Sequence, residues 1–398
     1  MSKSYYSLIF ILIVTLFNPV LSQPDYHTLH RQSLVVDAHS DVLLQVLRGA
    51  DISKRLDYGH VDLIRLKEGG VDVQFFAMWP NPEIYKPNHM YEHTIDMIAT
   101  FKKIIWDNPD KILLATSPWE IRQAVQQNKI AGCIGVEGGS AIENSITKLQ
   151  ALYDLGVRYL TLTWNDSLDW ASSAANEVSE DYRGHKGLTD FGKEVIRKMN
   201  DIGMIVDVSH SGEETFWDVL ETSSKPIIAS HSCVKVLCPH YRNLSDEQIK
   251  ALAQHGGVIF INFYPGYLEY DFDQKYTAMR ESTATYLDSI KKTYADDPLG
   301  YRKFSSEFYR KKSEAFLPGI ERIVDHMDHI IKIVGDDYVG LGSDFDGISI
   351  TPKGLNDTGD MPEITRCMLE RGYTPERIAK ILGGNFMRVF EETCVTAK

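Results

Sequence analysis

His39 and Asp41 stand two residues apart at the end of an apolar run, Leu34-Val35-Val36. In extended backbone, residues i and i+2 project to the same side, roughly 7 Å apart at the Cα. One imidazole and one carboxylate so placed can converge on a single divalent ion such as zinc. A capping Asp and a hydrogen-bonded His would explain the pair alone, but the arrangement recurs. AGCIGVE ends in Glu137 before Gly138-Gly139, MIVDVSH in His210, PIIASH in His231, and VGLGSD in Asp344 before Phe345-Asp346-Gly347. Three histidines and three acids exceed the three protein ligands that one catalytic zinc uses, so the set suits two ions. Glu137 stands alone between the His39/Asp41 and His210/His231 pairs and is the best bridge. Water between two such ions ionises near neutral pH, and Asp344 is placed to act as general base. Asp346 reads as a turn residue before Gly347.

Each of these residues closes a short apolar run. Eight such runs, at 34–37, 71–79, 131–137, 157–163, 204–208, 226–229, 258–263 and 339–343, are mostly separated by helical patterns. Continuous apolar runs mark strands buried on both faces. Eight β/α units in this length predict an α/β fold of the (β/α)8 TIM barrel type, whose strand C-termini open onto one face. A doubly wound sheet fits less well, because no Gly-rich phosphate loop follows the first strand. A charged, tyrosine-rich stretch at about 268–317 has helical composition and no strand. It is read either as a solvated helical insertion after strand seven or as a lid over the barrel mouth.

The motifs VVDAHSD, GHVDLIRLKEGGVDVQFFAMW, IGVEGGSAIENS, ALYDLGVRYLTLT, GLTDFGKEVIRKMNDIGMIVDVSH, SHSCVKVLCPHYRN, INFYPGY and VGLGSDFDG, in this order, resemble the membrane (renal) dipeptidase family. That family comprises zinc metallopeptidases on an amidohydrolase-type barrel. The resemblance implies two zinc ions per chain and hydrolysis of dipeptides, including those with a C-terminal D-residue. It implies metal ligands His39, Asp41, Glu137 (bridging), His210 and His231, with Asp344 as acid/base. Arg242 would bind the substrate carboxylate, for which a planar guanidinium is suited, and Tyr267 would line the pocket. Many relatives carry L-T-H after the fourth strand, the His polarising the scissile carbonyl. Here the sequence is Leu162-Thr163-Trp164-Asn165, which makes Trp164 and Asn165 the candidates facing substrate there. An indole donates one N–H and cannot become cationic. The alternative expectation is a related amidohydrolase acting on N-acyl amino acids, lactams or lactones.

The net charge of −13 over 398 residues argues against a nucleic-acid partner. Lys3, the apolar run at 5–17 and Ser22 resemble a secretory signal peptide cleaved near residue 22, leaving one barrel domain over 23–398. The run is shorter than the roughly 20 residues that span a bilayer, and the C-terminus carries no apolar tail of the GPI type. A soluble exported enzyme is expected, secreted or periplasmic, with no membrane span in the mature chain. A homodimer is expected from the family. The five cysteines are odd in number and form no C-x-x-C, so neither a disulfide framework nor a thiolate metal site is indicated.

Overall fold

The computed structural model describes residues 25–394, apart from 83, 85 and 86. The leader expected at 1–22 lies outside them. Nine strands form one parallel sheet: β1 (Val36–Ser40), β2 (Val73–Met78), β3 (Ile112–Leu114), β4 (Ile130–Glu137), β5 (Val157–Thr161), β6 (Ile205–Asp207), β7 (Ile227–Ser232), β8 (Val258–Ile261) and β9 (Val339–Leu341). The order β2-β1-β9-β8-β7-β6-β5-β4 closes through a β2–β4 pairing running from Val73↔Ala131 to Met78↔Val136. The eight expected strands are thus the eight staves of a closed barrel. β3 is an addition that the sequence reading did not contain. It pairs with the start of β4, Ile112↔Ile130 to Leu114↔Gly132, on the edge that β5 takes over from Ile134 onward.

Two strands run further than their apolar runs. β1 was expected at 34–37 and continues to Ser40, and β7 was expected at 226–229 and continues to Ser232. Both shift register at this point, β1 against β2 between Asp37 and Ser40, β7 against β8 between Ala229 and Ser232. The polar residues stay in the sheet because their side chains are satisfied inside it. Asp37, wholly buried, accepts from Ser343 N (2.8 Å), Ser343 Oγ (2.6 Å) and Gln74 Nε2 (3.0 Å). His39 and His231 therefore lie within strands, on backbone fixed by ladder hydrogen bonds.

Helices between the strands start and stop where their end residues dictate. Thr189 caps Asp190–Ile202 by accepting from Gly192 N, and Gly203 ends it at φ 81°, a left-handed turn that glycine adopts freely. Ser245 and Gln248 form a reciprocal capping box on Asp246–Gln254. Below the site the barrel is filled by alternating residues such as Val36/Ala38 and Val73/Phe75. Phe386 of the C-terminal helix Asn385–Thr393 packs there, 5.2 Å from Phe75 and 6.2 Å from Phe260 between ring centres.

The stretch expected as an insertion folds as two helices, Phe272–Thr293 and Pro298–Ser313. Its base is anchored by Phe272 and Tyr276, buried against Leu317 and Ile350. Tyr276 Oη lies 3.4 Å from Ser349 Oγ, and Lys303 pairs with Asp57. No helix of the described residues is long and apolar enough to cross a membrane. The five cysteines are free and buried.

Candidate active site

The parallel barrel brings all six metal-competent residues to one end, and Glu137 is their hub. Its Oε1 lies 3.0 Å from His210 Nε2 and 3.5 Å from His231 Nε2, while Oε2 lies 3.5 Å from His39 Nε2. Asp41 Oδ2 approaches His39 Nε2 at 3.4 Å. The rings of His39 and His231 are 3.9 Å apart. Two overlapping groups are spaced to hold an ion, His39/Glu137/His231 and His39/Asp41/Asp344. His210 and Asp344 both sit at positive φ, 66° and 60°, a costly conformation for non-glycine residues that concentrates at functional sites. Gly347 is needed beside them, since a Cβ there would overlap Asp41 Oδ2 and Asp344 Oδ1.

The partners behind each imidazole decide which nitrogen faces inward. Tyr159 Oη donates to Ala38 O (3.2 Å), so it accepts from His39 Nδ1 (2.8 Å). Ser230 Oγ donates to Asp207 Oδ2 (2.6 Å), so it accepts from His231 Nδ1 (2.7 Å). Asn165 Oδ1, an acceptor only, takes the proton of His210 Nδ1 (3.1 Å). All three Nδ1 atoms therefore donate, and all three Nε2 atoms point toward carboxylate oxygens. His39 Nε2 and His231 Nε2 are buried without a hydrogen-bond partner. An imidazole nitrogen set against anions in a buried pocket calls for a cation between them, a proton such as His39 takes or a metal ion. Outer partners of this kind accompany metal-binding histidines, so the residues present fit a divalent metal.

The electrostatics agree. Burial, then the influence of Arg242, pushes His210 down to about 4. Burial, then the charge of His39, holds His231 well below the ordinary histidine range. Burial also disfavours a charged His39, but Tyr159, Glu137 and Asp41 beside it outweigh that and hold its pKa well above the usual value. Glu137, despite its burial, is held well below the carboxylate range, first by the charge of His39 and then by the other two histidines beside it. Burial and the Asp41 carboxylate push Asp344 up to about 8.

Asp344 is steered by a residue that the sequence reading did not single out. Asn262, just past β8, donates Nδ2 to Asp344 Oδ2 at 2.8 Å. Tyr159 was likewise read only as strand. Gly135 makes room for its ring, which a Cβ would overlap, and closure of the barrel brings it to His39. Asp346 accepts from His60 N (3.0 Å) and Val61 N (3.1 Å), tying the turn after β9 to the loop after β1.

On the substrate side, Arg242 is buried at the end of β7. It donates to His231 O (3.2 Å) and Ser232 Oγ (3.5 Å) and lies over the Tyr267 ring at 5.4 Å. No carboxylate among the described residues pairs with it, and its Nε has no partner. Tyr267, Trp164, Asn165 and Asp344 line a cavity of about 350 Å³ with Asp41, Glu137 and His210. Trp79, following β2, joins them there and was not singled out in the sequence. Its ring lies 4.8 Å from that of Trp164.

Comparison with known proteins agrees with this geometry. Residues 24–398 match the model of the family described as membrane dipeptidase (peptidase family M19). A metallo peptidase from Rhodobacter sphaeroides, liganded with a phosphinate mimic of the dipeptide L-Ala-D-Ala, is 25% identical with a TM-score of 0.72, over 91% of this chain and 99% of that one. The probable dipeptidase PvdM from Pseudomonas aeruginosa is 24% identical with a TM-score of 0.75, over 93% and 97% of the two chains. A dipeptidase called AC, also of family M19, is 24% identical with a TM-score of 0.74, over 91% and 98%; at this identity these last two likenesses speak for the fold. The chain belongs to the membrane dipeptidase family and is a metal-dependent hydrolase, a metallopeptidase that acts as a dipeptidase.

Proposed function

We propose that this chain holds two zinc ions on His39, Asp41, Glu137, His210 and His231, with Glu137 shared between them. It would hydrolyse the peptide bond of free dipeptides, including those with a C-terminal D-residue. The observation that carries the reading is the turning of three Nε2 atoms onto one buried carboxylate. The D-residue is supported by the Rhodobacter sphaeroides protein and its L-Ala-D-Ala mimic. Bound there, the ions supply Lewis-acid polarisation of the scissile carbonyl and water acidified toward neutral pH.

The chain's own residues do the rest. Arg242, buried and without a carboxylate partner among the described residues, receives the substrate's free carboxylate through its planar fork. Tyr267 stacks beside that guanidinium and walls the cavity. Asp344, anchored through Oδ2 by Asn262, takes the proton of the attacking water and delivers it to the leaving amine. One water is consumed, the C–N bond breaks, and two amino acids leave. Asn165 keeps the His210 lone pair inward, and Trp164 lines the cavity on the substrate side.

The test is elemental analysis of freshly purified protein together with turnover of a panel of L-L and L-D dipeptides. By the ligand count, about two zinc ions per chain and amino-acid release abolished by chelation are expected. Failure of every dipeptide would sink the reading. A second reading, hydrolysis of N-acyl amino acids, lactams or lactones, is favoured by Trp164, whose indole offers a weaker polariser than an imidazole. A higher kcat/KM on those compounds than on any dipeptide would establish it.

A further inference from the structure

We infer that the cavity walled by Trp79 and Trp164 is the subsite for the substrate's N-terminal side chain, and that it selects a large side chain without negative charge. The inference rests on the dipeptidase reading above and adds its specificity. A cavity of about 390 Å³ adjoins the one over the metal ligands. The two share Trp79, Glu137 and Trp164, so a substrate whose carbonyl sits by Glu137 can reach into both.

Orientation follows from the order of staves. In the closed ring β2 stands four positions from β7, diametrically opposite. Arg242 is fastened to the end of β7, whereas Trp79 follows β2 and Trp164 follows β5. With the carboxylate of the C-terminal residue on Arg242 and the peptide bond over Glu137, the N-terminal residue falls on the Trp79 side.

The walls then say what fits. Two indoles whose ring centres are 4.8 Å apart, with Met90 and Leu168, offer extended apolar faces. Aromatic and aliphatic groups bind such faces, and cations bind indole faces as well. Asp166 and Asp169, both exposed, also line the cavity. Among the described residues its lining includes no Lys, Arg or His, and while Lys148 pairs with Glu143 in its wall, Asp166 and Asp169 present negative charge that disfavours an acidic side chain. A pocket of this kind discriminates by size about 10–200-fold.

The zinc-loaded full-length enzyme would be assayed on Phe-Ala, Lys-Ala, Ala-Ala and Glu-Ala. Expected kcat/KM for Phe-Ala and Lys-Ala exceeds that for Ala-Ala by about tenfold or more, with Glu-Ala lowest. In Trp164→Ala and in Trp79→Ala the Phe-Ala to Ala-Ala ratio falls toward one. The ratio cancels any loss common to both substrates and so separates selectivity from damage. In the Asp166→Asn/Asp169→Asn double variant the Glu-Ala deficit narrows. Turnover of Ala-Ala without a size preference, or a preference that survives both tryptophan substitutions, overturns the subsite and leaves the dipeptidase reading standing. Turnover of none of the four overturns both.

Discussion

Behind the metal ligands each imidazole is backed by a second polar group, Tyr159, Asn165 or Ser230, and that of His231 by a third. His231 leans on Ser230, Ser230 on Asp207, and Asp207 also accepts from Thr161 Oγ1 (2.5 Å) and Ser209 N (3.0 Å). Past the ends of β2 and β5 the site is walled by two indoles packed with their ring centres 4.8 Å apart. The first wall can tolerate little change, because a buried donor or acceptor left alone costs about 1–3 kcal/mol. The second can change shape by exchange of one side chain. Positions that fix the ions are thus built for invariance, and positions that meet the substrate for variety.

The comparison breaks most severely at Glu137. Glu137→Gln removes the anion that all three histidine contacts share. Elemental analysis is expected to find the bound zinc reduced and dipeptide turnover undetectable. Retention of both ions with normal rates would show that Glu137 is not the bridge. Next comes Asp344→Asn, which keeps the shape and the Asn262 contact but removes the proton acceptor. The expected loss in kcat/KM is about 10²–10⁴-fold, with metal content kept.

Protons and metal compete for the first wall. His39 sits well above the ordinary histidine range, and Asp344 is raised to about 8. Both therefore hold protons at neutral pH when no cation is bound, and metal binding must release them. The sign follows: apparent zinc affinity falls as pH falls, roughly tenfold per pH unit for each proton displaced. Titrating the chelated protein with zinc at several pH values checks this, and a pH-independent affinity would contradict the proton count. Asn165 tests the same wall more gently. Asn165→Ala frees the His210 ring, and second-partner losses of this type cost about 10–100-fold in metal affinity or activity.

The first wall was the more legible in sequence, for a physical reason. His39, Glu137, His210, His231 and Asp344 each close an apolar run, and a parallel barrel carries all such ends to one face. Once eight runs were recognised, convergence followed without any knowledge of side-chain packing. The supporting residues lacked that signature. Tyr159 in a buried strand reads as core, and only barrel closure sets it against His39, 120 positions away. Asn262 and Trp79 follow apolar runs too, but neither residue type announces a metal, so nothing in the spacing marked them. Strand limits were misjudged at 34–37 and 226–229 because Ser40, Ser230 and Ser232 look like loop residues. They remain in strands because buried partners satisfy them. The helical character at 268–317 was readable from composition. Its anchoring through Tyr276 and Ser349 depends on tertiary contact alone.

The smallest expected effect sharpens the comparison best, because it alters the second wall alone. Trp164→His would place there the imidazole that the family resemblance leads one to expect after the fourth strand. A histidine can donate to, and when protonated charge-stabilise, the oxygen that gains negative charge in the transition state, and such donors are worth up to about 10²–10³ in rate. The gain here should be smaller, about tenfold in kcat on Ala-Ala, because metal held by the intact first wall would supply polarisation of that oxygen as well. The same exchange removes one of the two indole faces, so large N-terminal side chains should lose their advantage as small ones gain. Opposite movement of Ala-Ala and Phe-Ala in a single variant, with zinc content unchanged, would separate the work of the two walls. Parallel movement would mean that Trp164 acts on the metal ligands after all, through the His210 ring 6.3 Å away.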